Sequence, residues 1–390
     1  MVTGPWFLAQ TPTAGLSRDT SRFKASENRG DGAISRFFGR AERSSQGSYT
    51  AAIARGLDGV LGRAVAAEWD ADRDRIAVIS DLHRGTDDHA DDFRDAAPNY
   101  RRALEFYLDA GYGLVLLGDA EELWECWPGG VIATYGELLE LEARFHRAAP
   151  GRFTKIWGNH DDLWQYPSRV AAHLGRFFGE LAVPEALDVT LTRNGADLGR
   201  VFLVHGHQGT GPSDRWGGLS RIFVRWVWRP VQRLFKVRLN TPATDFSIRD
   251  KHDRAMYEWA AARGDLVLIA GHTHNPVFVS QPHLATLERV RDDLADRAPG
   301  TDPAERARRA AEAARDGALA APSAGTRPSC YFNTGCACFS NGDVTGIELA
   351  DGEIRLVRWS DGVADPDDRI LEARKLTVVF GGLGPGERNP

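Results

Sequence analysis

The sequence predicts a layered α/β fold, and three observations lead to that prediction. Short apolar runs that read as strands alternate along the chain with segments of helical periodicity. Five of these runs end in a small residue followed by polar side chains. The chain has 390 residues, 42% hydrophobic and 26% charged, so it can bury a core without a metal or disulfides. Ligands of such folds gather at the carboxyl ends of strands, so the polar ends are candidate site residues.

The chain is predicted to start with a flexible arm followed by a helix. Residues 14–48 are rich in Gly, Ser and Arg, and we expect a flexible N-terminal arm over residues 1–48. From Tyr49 to about Trp69, the spacing of Ile53 and Leu57 predicts an amphipathic helix. The chain does not open on a basic region with a long apolar run, so we expect no signal peptide. It has no window of about 18 apolar residues, so we expect no transmembrane helix.

Five strands come next, and each leads into a polar cluster. These strands are RIAVIS, LVLLGD, FTKIWGNHD, VFLVHGH and LVLIAGHTH, and later strands are predicted at YFNTG, DVTGIEL and EIRLVRW. Helices are predicted between them, for example at Tyr100–Ala110 and Tyr135–Arg147.

These elements predict one domain over residues 49–383. Two stretches interrupt the pattern and are predicted to be insertions, at about 209–262 and about 283–326. The second contains TDPAER, which is a good helix start because Asp302 can cap it. We expect a short C-terminal tail over residues 384–390.

Charge and cysteine content restrict the class of protein. The net charge of -6 disfavours a general nucleic-acid binder. Four cysteines without a CxxC pair are too few for a disulfide scaffold, so we expect a reducing, cytoplasmic location. Cys336 and Cys338 could belong to a third metal site. Because alternate strand residues share a face, we prefer the interpretation that they are small core residues.

The polar strand ends supply the donor types of a two-metal site. Carboxylates can bridge two cations, neutral imidazoles bind Zn, Fe or Mn, and an amide oxygen adds a neutral ligand. Two cations held about 3.5–4 Å apart can activate water and clamp a phosphoryl group. The donors at these ends are Asp81, His83, Asp119, Asn159, His160, His205, His207, His272 and His274.

The motifs DLH, GDAEE, GNHD, HGH and GHTH occur in this order, each after an apolar strand. In this the sequence resembles the calcineurin-like metallophosphoesterase family, over about residues 75–360. The resemblance implies a four-layer α/β/β/α sandwich of two mixed sheets flanked by helices, with helical insertions. It also implies two divalent metal ions, Mn, Fe or Zn. In the family's pattern Asp81, His83 and His274 would hold the first metal, Asn159, His205 and His272 the second, and Asp119 would bridge both.

The same resemblance implies the chemistry. A hydroxide that bridges the metals would attack phosphorus in line, and His160 would protonate the leaving oxygen or steady the transition state. Asp161 would orient His160. Glu122 resembles the second acid of the family's GDxx(D/E) element and would support the ligands.

Two further residues are predicted to touch the substrate. Arg84 follows DLH, and its guanidinium could contact a phosphate oxygen. The alternative is a surface salt bridge with the acidic run DDHADD. His207 could contact the substrate directly, or it could set the tautomer of His205.

The segment Arg215–Arg238 is basic and aromatic, with arginines every four residues. It could pack on the sandwich, cover the site as a lid, or make peripheral contact with a membrane surface. The chain also has HGHQGTGPSD and ELW. In these two stretches it resembles the family branch that cleaves the pyrophosphate of UDP-diacylglucosamine. It departs from that branch in its length, its N-terminal arm and the histidine of GNHD.

The leading prediction is therefore a hydrolase for a phosphorylated small molecule or a lipid-linked substrate. A non-catalytic metal-stabilised scaffold and a nuclease of the same family are the alternatives. The oligomeric state stays open.

Overall fold

The computed structural model describes residues 47–88, 90–149, 151–209, 246–278, 329–361 and 366–383. Apart from Gly47 and Ser48, these residues belong to one of the chain's two units, Tyr49–Pro390. Several predicted features lie outside the described residues. They are nearly all of the N-terminal arm, the segment Arg215–Arg238, the insertion at about 283–326 and the tail at 384–390.

Two mixed sheets of six strands form the centre of the fold, as predicted. The strands are β1 (Val65–Asp70), β2 (Ile76–Ile79), β3 (Gly113–Leu117), β4 (Phe153–Ile156), β5 (Ala186–Arg193), β6 (Ala196–Val204), β7 (Leu266–Ala270), β8 (Val277–Phe278), β9 (Tyr331–Asn333), β10 (Val344–Ala350), β11 (Glu353–Trp359) and β12 (Ile370–Lys375). Sheet I has the order β12-β11-β10-β2-β3-β4, and sheet II has the order β1-β5-β6-β7-β9-β8.

Helices flank both sheets. They are α1 (47–61), α2 (Ala97–Asp109), α3 (Pro128–Thr134), α4 (Gly136–Ala148), α5 (Pro167–Phe178), α6 (Phe246–Arg263) and α7 (Leu376–Gly381). Short 3-10 helices cover Asp162–Gln165 and Pro366–Arg369. None of the helices in the described ranges combines the length and apolar character needed to cross a membrane.

Three apolar clusters hold the layers together. One joins sheet I to α2, α3, α4 and α5, a second fills the space between the sheets, and a third joins sheet II to α1 and α6. The alternation of side chains in β3 shows the principle, since Leu114 and Leu116 face the helices while Val115 and Leu117 face sheet II. Strands buried on both faces must be apolar throughout, which is why the sequence shows them as continuous runs.

The structure differs from the predicted elements in two places. The helix predicted from Tyr49 to about Trp69 ends at residue 61, and Val65–Asp70 instead forms β1, which pairs in parallel with β5. The insertion predicted at about 209–262 ends in α6, which contributes Ala255, Met256, Tyr257, Trp259 and Ala260 to the third cluster. The last part of that stretch is therefore a regular outer layer of the fold.

Candidate metal centre

The predicted site residues converge because three strands of sheet I and two strands of sheet II end at the same edge of the sandwich. In sheet I, β2, β3 and β4 are parallel, and in sheet II, β6 is parallel to β7. The turns after β2, β3 and β4 carry the motifs DLH, GDAEE and GNHD, and the turns after β6 and β7 carry HGH and GHTH. Both sheets therefore contribute donors to one region.

The backbone is strained where the donors leave the strands. Of the non-glycine residues in the described ranges, eight have a positive φ, and five of these are predicted ligands. Such conformations cost about 1–3 kcal/mol each and concentrate at functional sites. The five are Asp81 (53°), His83 (51°), Asp119 (51°), His272 (70°) and His274 (54°).

The first donor group consists of Asp81, His83 and His274, the predicted ligands of the first metal. Asp81 Oδ1 lies 3.3 Å from His274 Nε2 and 3.8 Å from His83 Nε2, and the two imidazole nitrogens are 3.1 Å apart. Asp81 Oδ2 is held away from them, because it accepts hydrogen bonds from Ser80 Oγ and from the backbone N–H of His272. This fixes Oδ1 toward the histidines.

The second donor group consists of Asp119, His205 and His272. His205 donates from Nδ1 to the carbonyl of Leu117 at 2.9 Å, which leaves Nε2 as the atom that can bind a cation. That Nε2 lies 3.0 Å from Asp119 Oδ2, which is itself 3.8 Å from His83 Nε2. A single oxygen of Asp119 therefore lies near both groups.

Three buried donor atoms show that this geometry fits cations. Asp81 Oδ1, Asn159 Oδ1 and His205 Nε2 are buried without a hydrogen-bond partner among the described residues. An unsatisfied buried polar atom costs about 1–3 kcal/mol, and native proteins contain few of them. All three belong to the predicted ligand set, and divalent cations would satisfy them. The donor set of carboxylate, imidazole and amide oxygen suits Mn, Fe or Zn.

The carboxylates also set the pKa values of the histidines. Burial opposes the charge of His205, but Asp119 and Asp81 outweigh it and raise the pKa of His205 to about 9. Asp81 similarly raises the pKa of His274 to about 9 against the effect of burial. Burial, followed by the charge of His205, holds the pKa of His272 well below its ordinary value. Cations entering the site therefore compete with protons on His205 and His274.

His160 is positioned by Glu122 and Trp124. Its Nδ1 lies 2.7 Å from Glu122 Oε2, and the indole of Trp124 stacks on its ring at a centroid distance of 4.4 Å. Trp124 also donates to the carbonyl of Asn159 at 2.6 Å. Burial lowers the pKa of His160, but the charges of Glu122 and Asp119 outweigh it and raise the pKa overall. These two carboxylates therefore stabilise the protonated form of the imidazole.

Asp161 takes a different position from the predicted one. We expected it to orient His160, but Glu122 does so. Asp161 is fully buried, and it accepts backbone hydrogen bonds from Gly158 at 2.6 Å and Ala120 at 3.0 Å. Its physical role is to hold together the two turns that carry Asp119 and Asn159.

Arg84 also differs from its prediction, both as a phosphate contact and as a surface ion pair. The side chain is fully buried, and it donates to Glu142 at 2.7 Å and to Glu121 at 2.8 Å. Because both carboxylates lie inside the protein, the guanidinium neutralises internal charge and does not reach the donor groups.

His207 is buried beside the second donor group. Its ring centroid lies 5.5 Å from that of His205 and 6.4 Å from that of His272. It does not set the tautomer of His205, since the carbonyl of Leu117 does that. Burial, with a further contribution from the charge of His205, lowers its pKa to about 3. His207 is therefore a neutral neighbour of the site.

The sequence did not predict the stacking of Trp124 on His160 or the position of the two cysteines that follow β9. Cys338 Sγ lies 3.7 Å from His274 Nδ1, and Cys336 belongs to the same cluster. The spacing CxC was the available signal, but only the fold brings those sulfurs to a histidine from another strand end.

The chain was compared with a family model, with solved structures and with curated proteins. The model of the calcineurin-like phosphoesterase family matches residues 74–276, more than half of the chain. The structure of vacuolar protein sorting 29 from Cryptosporidium parvum matches with 13% identity and a TM-score of 0.32, covering 75% of this chain and 93% of that one. A conserved protein of Streptococcus pneumoniae TIGR4, described as a predicted phosphoesterase, matches with 11% identity and a TM-score of 0.26, covering 73% and 88%. No curated protein matches the chain.

Proposed function

The chain belongs to the calcineurin-like phosphoesterase family, and on that premise we propose that it hydrolyses a phosphate ester or pyrophosphate bond with two divalent metal ions. The observation that carries this proposal is the position of Asp119 Oδ2, which lies 3.0 Å from His205 Nε2 and 3.8 Å from His83 Nε2. One carboxylate oxygen shared by two donor groups is what a dinuclear site requires.

The donor groups have separate tasks. Asp81, His83 and His274 would hold one cation, and His205, His272 and Asn159 would hold the other, with Asp119 between them. When bound, two such cations would activate a water molecule and neutralise charge on the phosphoryl oxygens. The protein's own contribution is to keep these donors in place before substrate arrives, through strained turns and the buried hydrogen bonds of Asp81 and Asp161.

His160 would donate the proton to the leaving oxygen. Burial lowers its pKa, but Glu122 and Asp119 outweigh that effect and raise it, which favours the protonated imidazole that a proton donor needs. Glu122 binds Nδ1, and Nε2 is then the nitrogen that can give up its proton. The stacked ring of Trp124 restricts rotation of the imidazole.

The substrate class is proposed to be a small phosphorylated molecule or a lipid-linked pyrophosphate. The second choice rests on the sequence of Arg215–Arg238, whose arginines could attract an anionic group and whose aromatic residues could hold an apolar tail.

Hydrolysis rates test the proposal. Metal-free protein would be loaded with Mn²⁺ and given a phosphomonoester, a phosphodiester and a nucleotide-diphosphate lipid. Turnover of at least one is expected, together with its loss in Asp119→Asn. The matched control is Asp197→Asn, because Asp197 is an exposed carboxylate at the opposite end of β6.

The remaining outcomes would contradict the proposal or redirect it. Two bound metals with no hydrolysis of any substrate would favour the scaffold alternative. Salt-sensitive cleavage of DNA or RNA in place of the small substrates would favour a nuclease. Full activity of Asp119→Asn would rule out the dinuclear arrangement.

A further inference from the structure

Two cysteine sulfurs lie beside His274, on the side of its ring that does not face Asp81. Cys336 and Cys338 follow β9, and together with His274 they bring two sulfurs and an imidazole nitrogen within 4.8 Å of one another. Cys338 Sγ lies 3.7 Å from His274 Nδ1. We call these three residues the sulfur cluster. Its chemistry differs from that of the other donor groups, whose ligand atoms are nitrogen and oxygen.

The loop that carries the sulfurs is fixed on both sides. The N–H of Ala337 donates to the carbonyl of Asp81 at 3.1 Å. Cys336 donates its N–H to Thr345 Oγ1 at 3.2 Å, and its carbonyl accepts from the N–H of Thr345 at 3.0 Å. Cys336 is buried, whereas Cys338 is partly exposed. The cluster is therefore anchored to β10 and to the turn of the first donor group, and it can be reached from one side.

We propose that the sulfur cluster is a third metal site, which binds a thiophilic divalent cation such as Zn²⁺ or Cd²⁺. Two thiolates and one imidazole are a common donor set for Zn²⁺, with a water or another ligand in the fourth position. Soft sulfur ligands select such cations over Mn²⁺ or Mg²⁺, which prefer oxygen donors. Different cations would thus be sorted between the sulfur cluster and the oxygen-containing groups.

The shared histidine couples this site to the first donor group. His274 presents Nε2 to Asp81 Oδ1 at 3.3 Å and Nδ1 to Cys338 Sγ at 3.7 Å. A neutral imidazole has one nitrogen lone pair and one N–H. If Nδ1 binds a cation, Nε2 carries the proton and no longer serves the first group. A thiophilic cation in the sulfur cluster should therefore weaken Mn²⁺ binding there, a consequence that rests on the proposed function.

Sulfur–metal charge-transfer absorption tests the site without measuring activity. Cd²⁺ would be added to reduced, metal-free protein. We expect a thiolate-to-cadmium band that saturates at one equivalent in the wild-type protein and is lost in the double variant Cys336→Ser/Cys338→Ser. The control variant is Cys126→Ser, since Cys126 is a buried thiol in the helix-side core of sheet I, and it should keep the band.

A wild-type protein without the band would overturn the proposal, as would a band that survives in the double variant. X-ray absorption of the Zn²⁺-loaded wild-type protein gives a test that needs no variant, with two sulfurs expected at about 2.3 Å from zinc. A zinc shell with only nitrogen and oxygen would also overturn it. These signals do not depend on hydrolysis, so a failure of the proposed function can be told apart from a failure of this site.

Discussion

At the scale of single residues, the site is built from side chains whose backbone has been forced out of the strand conformation. A continuing strand would send neighbouring side chains to opposite faces of the sheet. A positive φ at Asp81, His83 and Asp119 breaks that alternation, so that their side chains meet at the strand ends. The cost of these conformations is offset by the surrounding fold, which makes the donor positions specific to the native state.

Glycine is required at Gly158 because of a close approach. A Cβ there would overlap Asp119 Oδ1, and it would lie 2.7 Å from the Asp119 backbone nitrogen and 2.8 Å from His205 Cδ2. We therefore expect Gly158→Ala to displace Asp119 and to reduce Mn²⁺ affinity by at least about tenfold, measured by calorimetric titration.

A second glycine provides the control for this prediction. A Cβ built on Gly175, within α5, meets no described atom within 4 Å. Gly175→Ala should leave Mn²⁺ binding unchanged and stabilise the protein by roughly 0.5–1 kcal/mol, because alanine favours helix more than glycine. Equal metal affinity in the two variants would show that the close approach to Asp119 is not needed.

The role of His160 as proton donor can be tested by comparing the turnover of two substrates whose leaving groups differ in their need for a proton. We expect His160→Gln to lower the turnover of an alkyl phosphate by about 10²–10⁴-fold, since the leaving alkoxide needs a proton. Turnover of a nitrophenyl phosphate should fall much less, because nitrophenolate leaves without protonation. The control is His146→Gln, a histidine whose ring contacts the carbonyl of Glu180 away from the site. An equal loss for both substrates would assign His160 to binding rather than to proton transfer.

At the scale of elements, a buried charge network joins the motif turns to the helical layer. Arg84, after β2, pairs with Glu121, after β3, and with Glu142 on α4, and all three side chains are at most 1% exposed. Lys155 on β4 adds a further ion pair to Glu121 at 2.8 Å. The network keeps the turns after β2 and β3 in register, since each buried charge depends on its partners.

Removing the central cation should be costly. In Arg84→Met, the carboxylate of Glu142 loses its buried counter-charge, so we expect the free energy of unfolding to fall by about 3–5 kcal/mol in urea denaturation. The exposed pair Arg101–Glu137 is the comparison, and Arg101→Met should change stability by less than about 1 kcal/mol. A small effect in both variants would mean that the attraction between Arg84 and Glu142 is cancelled by the free energy needed to remove the two charges from water.

How much the sequence predicts depends on the environment of each element. The strands β2, β3 and β7 are buried on both faces, so their continuous apolar runs allow them to be predicted from the sequence. The strand β1 could not be predicted in this way. Its sequence VAAEWD lies at the edge of the sheet, is largely exposed and contains helix-favouring residues. Its pairing with β5 overrides local preference, and such pairing is visible only in three dimensions.

The same division applies to the site. Short motifs at strand ends predict residues that the fold brings together in the two donor groups. The motifs could not reveal that Glu122, rather than Asp161, contacts the His160 ring. Both acids belong to motif turns, and only the folded structure shows that the Asp161 carboxylate is directed at the backbone of Gly158 instead. The burial of Arg84 depends on Glu142, which is 58 residues away along the chain.

At the scale of the whole molecule, the donors belong to different sheets. Asp81, His83 and Asp119 come from sheet I, whereas His205 and His274 come from sheet II. Cations bound by both sets would connect the two halves of the sandwich and stabilise the folded state by an amount that grows with the logarithm of their affinity. Metal content should therefore change the stability of the entire domain rather than that of one loop.

This arrangement predicts opposite pH trends with and without metal. In the metal-free protein, His205 and His274 have pKa values of about 9, above the ordinary value of 6.5, and His83 and His160 are raised as well. The stabilising contribution of His205 and His274 is complete below pH 6.5 and is lost as the pH rises to about 9. Cys336, whose pKa is lowered to about 6 by Cys338 and His274 against the effect of burial, acts in the opposite direction. The raised pKa values of four histidines outweigh the lowered pKa of one thiol, so we expect the free energy of unfolding of the metal-free protein to fall between pH 6.5 and pH 9.

With Mn²⁺ present, the imidazoles must be neutral to bind, so rising pH removes the protons that compete with the cation. The increase in Tm caused by Mn²⁺ should consequently grow between pH 6.5 and pH 9, while the Tm of the metal-free protein falls. Differential scanning calorimetry at a series of pH values measures both trends in one protein. Asp119→Asn is the control, because it should lose the Mn²⁺-dependent increase at every pH. An increase in Tm that shrinks toward high pH would show that the histidines at the strand ends are not the groups that bind the cation.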